Sequence, residues 1–404
     1  MRRSRRLLGL LVGILASVSG SVSAVRAQDP PRGSEFTIPA GGSGPIRRWP
    51  ALTELSLDYV FFAYTTRQIP NLATTGPPDT SSGAIPGALG QPNTQFLGGD
   101  ASSSQRPAFL ATFTYWLVDP EAANIQATFF GMEDRSSKQA FTSDANGVPV
   151  LSRPFFNPNT NAQDAATRAL LESRSGSISD SLTTRIMGAE VNLKFYTPSV
   201  YAESSGLNLF LGARWLRLQE IYSNFDTENF LDGGGFATTY SDTFNAQNQF
   251  WGGQFGGELQ YQFLGITFSV MGKLAMGVVR QTVVVSGQTV QTDLTTGAVV
   301  TDNREGLYAQ PSNVGTYNRN QFAIMPEAGV KAHLDVNSAL RIHVGYTVFA
   351  LTRTVRPTDE IDTTVNVQSL NVDVLAAPAL PAPPSFRQQF FRGQMFNLGL
   401  ELRY

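Results

Sequence analysis

The chain has no cysteine and only two histidines among its 404 residues. That removes disulfides, Fe–S clusters and thiolate metal centres from consideration and leaves the redox compartment undetermined. Charge is scarce as well. Asp, Glu, Lys and Arg make up 15% of the chain, against roughly 25% in a typical soluble domain, which suits a protein with a large surface turned away from water. The formal net charge is -2 and no segment carries a basic stripe, so no field exists to draw in DNA or RNA, and nucleic-acid binding is disfavoured. Beyond the first few dozen residues no apolar run approaches the ~20 needed to cross a bilayer as a helix.

The start of the chain, MRRSRRLLGLLVGILASVSGSVSAVRA, has a basic beginning (Arg2, Arg3, Arg5, Arg6), an apolar core over residues 7–18, and small residues before Ala24 and Ala27. This is the layout of a secretory signal peptide. The expectation is a leader at 1–27 cleaved after Ala27, or else after Ala24, a periplasmic extension at 28–50, and one domain at 51–404. If the exported chain enters a membrane, it does so as strands.

Alternation of apolar and polar residues, the signature of a half-buried strand, recurs along the chain. FNLGLELRY puts Phe396, Leu398, Leu400, Leu402 and Tyr404 on one face and Asn397, Glu401 and Arg403 on the other. LTELSLDYVFFAY does the same with Leu55, Leu57, Tyr59 and Phe61 against Glu54, Ser56 and Asp58. Similar runs lie over 107–118, 123–131, 186–196, 207–218, 250–263, 265–278, 321–334 and 340–353. About ten strands result, twelve if a long loop hides a hairpin. Pro326 interrupts one of them, and because proline cannot donate to a ladder a bulge or kink is expected there. The connections alternate long and short: 67–106, then DPEAA; 134–180, then TPSVYAESS; 222–242, then FLG; 285–317, then DVNSA; and finally 356–389. The fold expected is therefore all-β: a transmembrane antiparallel up-and-down β-barrel with short periplasmic turns and long external loops.

That orientation sorts the apolar-face aromatics by height. Phe61, Phe109, Phe129, Trp215, Trp251, Phe322 and Phe396 fall at the loop side; Tyr115, Phe195, Tyr261, Phe263, Phe268 and Tyr404 fall at the turn side. Two girdles of this kind mark the headgroup levels of a bilayer, and the lipid-interface set is read as Phe61, Phe129, Phe195, Trp215, Trp251, Tyr261, Phe263 and Tyr404. The exception on the apolar parity is Arg217, near the loop-side rim. A soluble β-sandwich also alternates, but has no reason to sort aromatics by height or loops by length.

The opposite parity supplies a lumen-lining charged network: Glu54, Asp58, Glu190, Glu220, Glu258, Glu327 and Glu401 with Lys194, Arg214, Lys273, Lys331, Arg341 and Arg403. Nearly balanced charge favours pairing across the lumen over a solute pathway, since an unpaired interior charge is costly. About ten strands leave a narrow passage at best. His333 and His343 flank the DVNSA turn on the interior face, too far from the loop side to act as a base there, so no catalytic residue is assigned. Beside Lys331 and Arg341 the pair is read as structural and not as a metal site; no metal or other cofactor is expected. GGQFGG (252–257) mimics a phosphate loop but sits inside a strand, where glycine makes room for neighbours. RPTDEID is read as an Arg356–carboxylate cluster closing its loop, and AQDAATRALLES (162–173) as a short helix within a loop.

The motifs GALGQPNTQFLGG (87–99), GVPVLSRPFF (147–156), MGAEVNL (187–193), GARWLRLQE (212–220), QFWGGQFGGELQY (249–261), FAIMPE (322–327) and VRPTDEID (355–362), in this order, resemble the beta-barrel porin seven family, large outer-membrane barrels found mainly in planctomycetes. Thr358, where glycine is usual, and Ala350–Leu351, where an aromatic pair is common, depart from it. The resemblance implies an outer-membrane location, a porin role and no catalytic residue. Tyr404 likewise resembles the terminal aromatic by which barrels are recognised by the assembly machinery. The expected function is a narrow passive porin for small solutes in contact with outer-membrane lipid; the alternative is a plugged structural or adhesive barrel acting through its external loops.

Overall fold

Ten of the alternating segments close into one ring in the computed structural model, which describes residues 53–65, 70–78, 84–98, 105–117, 123–198, 205–231, 235–367 and 380–404. The expected leader, the extension at 28–50, and most of DPEAA and of TPSVYAESS lie outside these residues. In chain order the described strands are β1 (Thr53–Tyr64), β2 (Thr74–Thr75), β3 (Gln95–Phe96), β4 (Gln105–Trp116), β5 (Ala123–Met132), β6 (Arg135–Thr142), β7 (Leu151–Asn157) and β8 (Ala162–Ala169). They continue as β9 (Arg174–Pro198), β10 (Ser205–Phe230), β11 (Phe236–Phe263), β12 (Ile266–Asp293), β13 (Val299–Asn303), β14 (Gly315–Asp335), β15 (Leu340–Thr354) and β16 (Gln389–Arg403). The ring runs β1-β4-β5-β9-β10-β11-β12-β14-β15-β16, every pair antiparallel. It closes where β1 pairs β16, with Leu57 opposite Leu400 and Phe61 opposite Phe396. Tyr404 and Thr53 exchange backbone hydrogen bonds of 2.9 and 3.2 Å at the turn-side end of this seam. Closure leaves no ring edge with unmet backbone groups, the condition for a sheet to sit in hydrocarbon.

The apolar parity faces outward on every ring strand. Leu57, Leu211, Leu259, Val270, Val330 and Leu398 are all exposed. A row of rings circles the wall on the loop side, with Trp215 and Trp251 5.9 Å apart and Phe61 and Phe396 6.2 Å apart. Phe195, Tyr261, Phe263, Phe268 and Tyr404 are exposed at the turn side. The 10 to 12 residues of β1, β4 and β5 match the ~9–11 a tilted strand needs to cross the hydrocarbon.

The wall is uneven. β9 to β12 run for 25, 26, 28 and 28 residues, so from Trp251 to Phe236 the strand continues for roughly 50 Å beyond the loop-side girdle. The segments 222–242 and 285–317, expected as loops, are thus largely strand. Above the girdle the outward parity turns polar: Arg217 donates to Gln247 at 2.7 Å, Gln219 to Asn245 at 3.1 Å, and Ser223 meets Thr243 at 3.1 Å. This accounts for Arg217, which lies just past Trp215 on the watered side.

Two further expectations need correction. AQDAATRALLES is not helical: β8 covers its first part and pairs with β7 inside the long β6–β9 connection. So short a run carries too few turns for periodicity to separate helix from strand. Pro326 makes no bulge with β12, since it sits in register opposite Leu274. Its missing N–H shows on the other side, where the β14–β15 ladder begins only at Glu327.

Candidate functional site

The lumen is the one interior the ring encloses, and its content changes with height. From the turn side up to the septum rings of Phe130 and Phe349 runs a cavity of about 220 Å³, lined at its lower end by Glu54, Trp116, Tyr196, Lys194, Glu258, His333, Arg341, Glu401 and Arg403. Lys194 pairs with Glu258 at 2.5 Å, Arg341 with Asp335 at 2.7 Å and Glu401 at 3.4 Å, and Arg403 with Asp335 at 3.1 Å and Glu401 at 2.9 Å. Glu54 lies 3.7 Å from Arg403. Asp58 accepts from Asn397 and Ser56 and meets Nε2 of His343 at 3.1 Å. Lys331 also lines this cavity.

One layer higher, Glu190, Arg214, Lys273 and Glu327 form a four-membered network: Lys273 to Glu190 at 2.7 Å and Glu327 at 3.4 Å, Arg214 to Glu327 at 2.5 Å and Glu190 at 3.7 Å. Each charge has two opposite neighbours, so no single contact holds it. All of these partners stand on ring strands, which braces the wall from within.

Above this network the lumen turns apolar. Val60, Phe62, Tyr64, Phe130, Leu216, Phe250, Met325, Phe349, Phe391 and Met395 converge from all around the ring into one buried cluster. Phe62 stacks on Phe349 at 6.1 Å and on Tyr64 at 5.6 Å. Inward glycines supply the space for these rings. A Cβ on Gly393 would lie 2.5 Å from the Phe349 ring, and one on Gly252, in the GGQFGG stretch, 2.5 Å from Phe250. The apolar layer is therefore a septum built by wall residues, at the level of the loop-side girdle.

A plug made of loop segments fills the interior above the septum. Arg153, on β7, is fully buried: it donates to Asp180 of β9 at 2.8 Å, to Asp226 of β10 at 2.7 Å, and to the carbonyls of Leu72 and Ser179. Arg168 of β8 adds 3.2 Å to Asp226, and Arg174 adds 2.5 Å to Glu228. Burial outweighs the Arg153 guanidinium at Asp180 and raises its carboxyl above the ordinary range; the same burial raises the Tyr222 hydroxyl, which donates to Asp180 at 2.6 Å. Asp242 gathers the backbone N–H groups of Tyr308 and Ala309 at 3.2 and 2.8 Å and Asn224 at 2.9 Å. Arg356 reaches the wall at Glu220, 2.8 Å away. The RPTDEID cluster is therefore not self-contained: Glu360 accepts the N–H groups of Phe386 and Arg387, and Asp362 that of Ala382. The carboxylates close the loop on backbone while Arg356 docks the loop to the barrel.

Every residue of the lumen set lies on the inner side, eleven around the turn-side cavity, Asp58 buried beside it, and Glu220 alone above the septum. Sequence reasoning did not reach Arg153, Arg168, Asp180, Asp226, Glu228 or Asp242. All four of these acids, Asp180, Asp226, Glu228 and Asp242, continue the inward parity of β9, β10 and β11, so extending the alternation past the girdle would have found them.

The sequence matches the family described as Putative beta barrel porin-7 (BBP7) over residues 55–404. The chain belongs to that family. Among solved structures it is similar to the outer membrane protease OmpT from Escherichia coli, with 9% identity, 90% of this chain and 100% of that chain covered, and a TM-score of 0.40. It is also similar to a TodX mutant described as a monoaromatic hydrocarbon channel (9% identity, 88% and 91% covered, TM-score 0.22) and to a Pseudomonas aeruginosa FadL homologue (6%, 87% and 90%, 0.21). No curated protein matches. This BBP7-family chain is thus a porin-family β-barrel of the outer membrane.

Proposed function

We propose that this barrel is a narrow porin held shut at rest, whose path for small solutes ends blind between the periplasmic cavity and two seals in series. The observation that carries this reading is the septum, because wall side chains close the lumen there whatever the loops do. Above it, release of the plug requires breaking the Arg153 contacts with Asp180 and Asp226, and opening a buried pair costs about 3–5 kcal/mol. Both histidines lie below the septum, so the reading assigns no enzymatic role. It includes export through the leader at 1–27, an extension at 28–50, lipid contact at both girdles, and delivery to the assembly machinery through Tyr404. Small solutes fit a passage of this calibre, since ten strands enclose little more than eight, which side chains fill.

Planar-bilayer conductance tests the proposal. The wild type is expected to be silent or to open rarely, and the Phe62→Ser, Phe349→Ser variant with Arg153→Ala is expected to show discrete openings absent from a detergent control. Steady wild-type conductance overturns the shut state. Silence in both favours the second reading, a permanently plugged surface barrel, for which the tall polar wall of β9–β12 is the supporting feature.

A further inference from the structure

We infer that His333, His343 and Glu401 form a binding site for a first-row divalent cation of the zinc type, at the turn side of the lumen. The two histidines stand directly opposite each other on β14 and β15, their rings 5.4 Å apart. Glu401 on β16 opposes Arg341, so it lies diagonally across from His343. One ligand atom from each of the three falls within 4.8 Å of the others. Nδ1 of His333 and Nδ1 of His343 are both buried and have no hydrogen-bond partner, and an unpartnered buried ring nitrogen is costly unless something fills its place.

The surroundings resemble those of a metal ligand more than those of a core histidine. A ligating imidazole ordinarily gives its second nitrogen to a carboxylate, which fixes the ring and its tautomer. Nε2 of His343, with its side chain only 2% exposed, meets Asp58 at 3.1 Å, leaving Nδ1 as the free atom. Asp58 is itself held by Ser56 and Asn397. Gly399 makes this pair possible: a Cβ there would lie 2.4 Å from Nε2 of His343 and 2.5 Å from the Asp58 carboxylate. The hydrogen bonds to Glu401 from Arg341 and Arg403 all arrive at Oε1.

Charge is the objection, because Lys331, Arg341 and Arg403 stand close by. Arg341 and Arg403, however, are already engaged by Asp335 and Glu401, with Glu54 3.7 Å from Arg403. Counting Glu54, Asp58, Asp335 and Glu401 against the three cations leaves the pocket one negative charge in excess. Two imidazoles and a carboxylate select zinc, nickel, cobalt or copper over calcium or magnesium. Ligands at ~2.0–2.1 Å from a tetrahedral ion stand roughly 3.3 Å apart, so small ring rotations must draw the three together. All three residues line the 220 Å³ cavity, which leaves room beside them for water or a small ligand.

The test uses the full-length protein in detergent, stripped with a chelator and titrated with Co²⁺ by visible absorption and with Zn²⁺ by calorimetry. Heat-modifiable gel mobility checks that each variant keeps its barrel. One saturable ion per chain is expected, with affinity falling at least tenfold in His333→Gln, which leaves the Asp58–His343 pair in place. Asp58→Asn is expected to weaken binding 10–100-fold, the usual cost of losing such an orienting carboxylate. No saturable binding to folded wild type overturns the inference. So does binding of equal strength in His333→Gln, which would place the ion elsewhere.

Discussion

Below the loop-side girdle and above it, the same strands live in two solvents. Between the girdles β9–β12 turn Leu, Val, Phe and Trp outward and Glu190, Arg214 and Lys273 inward. Past Trp215 and Trp251 they turn Ser, Thr, Asn and Gln outward, while Leu182, Tyr222 and Phe244 join one buried apolar cluster and Ile178 another. The backbone and its register do not change across this line. What changes is which side meets water, so alternation is a statement about contrast and its sign reports the medium. The two interiors are also held differently: below, wall charges pair with wall charges, and above, loop arginines pair with wall carboxylates.

The sharpest way to break this comparison is Arg153→Ala. It leaves Asp180 without a cation and Asp226 with Arg168 alone inside the upper interior, and a loss of about 3–5 kcal/mol is expected. Limited proteolysis should then cut within 135–170 while the ring keeps its heat-modifiable mobility; a plug that stays resistant contradicts the arrangement. The two media are compared next by placing one charge on each outward face. Leu211→Arg, between the girdles, is expected to cost about 2–4 kcal/mol in folding into vesicles. Thr239→Arg, high on β11, should change stability by no more than about 0.5 kcal/mol. Equal effects would mean the membrane boundary is misplaced.

Glu190→Gln probes the lower interior. Arg214 and Lys273 both keep Glu327, so a loss of about 1–3 kcal/mol is expected in urea unfolding, smaller than for Arg153 because the network shares its charges. The smallest effect belongs to Asp242→Asn, which keeps an acceptor for the Tyr308 and Ala309 N–H groups. Burial raises the Asp242 carboxyl above its ordinary value of 3.8. The folded state therefore binds a proton that the unfolded state has released, and this contribution is full below 3.8 and lost as pH rises through the folded value. Wild type should gain protease resistance at the plug between neutral pH and about pH 4, and Asp242→Asn should show a flatter dependence.

How legible all this was in the sequence follows the same boundary. Within the membrane every strand could be read, because a residue such as Leu259 between Glu258 and Gln260 leaves no ambiguity about its face. Above the girdle the contrast is Ser179 against Asp180 or Thr243 against Asp242, polar against polar, a pattern that does not separate strand from loop. The lumen charges were legible because they interrupt apolar runs. Arg153 was not, since its partners lie 27 and 73 positions away and no local pattern ties them. The septum escaped notice for the opposite reason: Val60, Phe62 and Tyr64 sit on the inward parity of a strand already read as apolar outward, and VFFAY shows no contrast at all.

The seam between β1 and β16 has a kinetic corollary. Asn397 bonds Asp58 across 339 positions of sequence, so this ladder joins the most distant parts of the fold and its entropy of closure is met last. Until then the nascent sheet has two raw margins, each able to recruit a foreign strand. Biogenesis of this protein is thus a race between circularisation and aggregation, and any escort that shields those margins decides the yield.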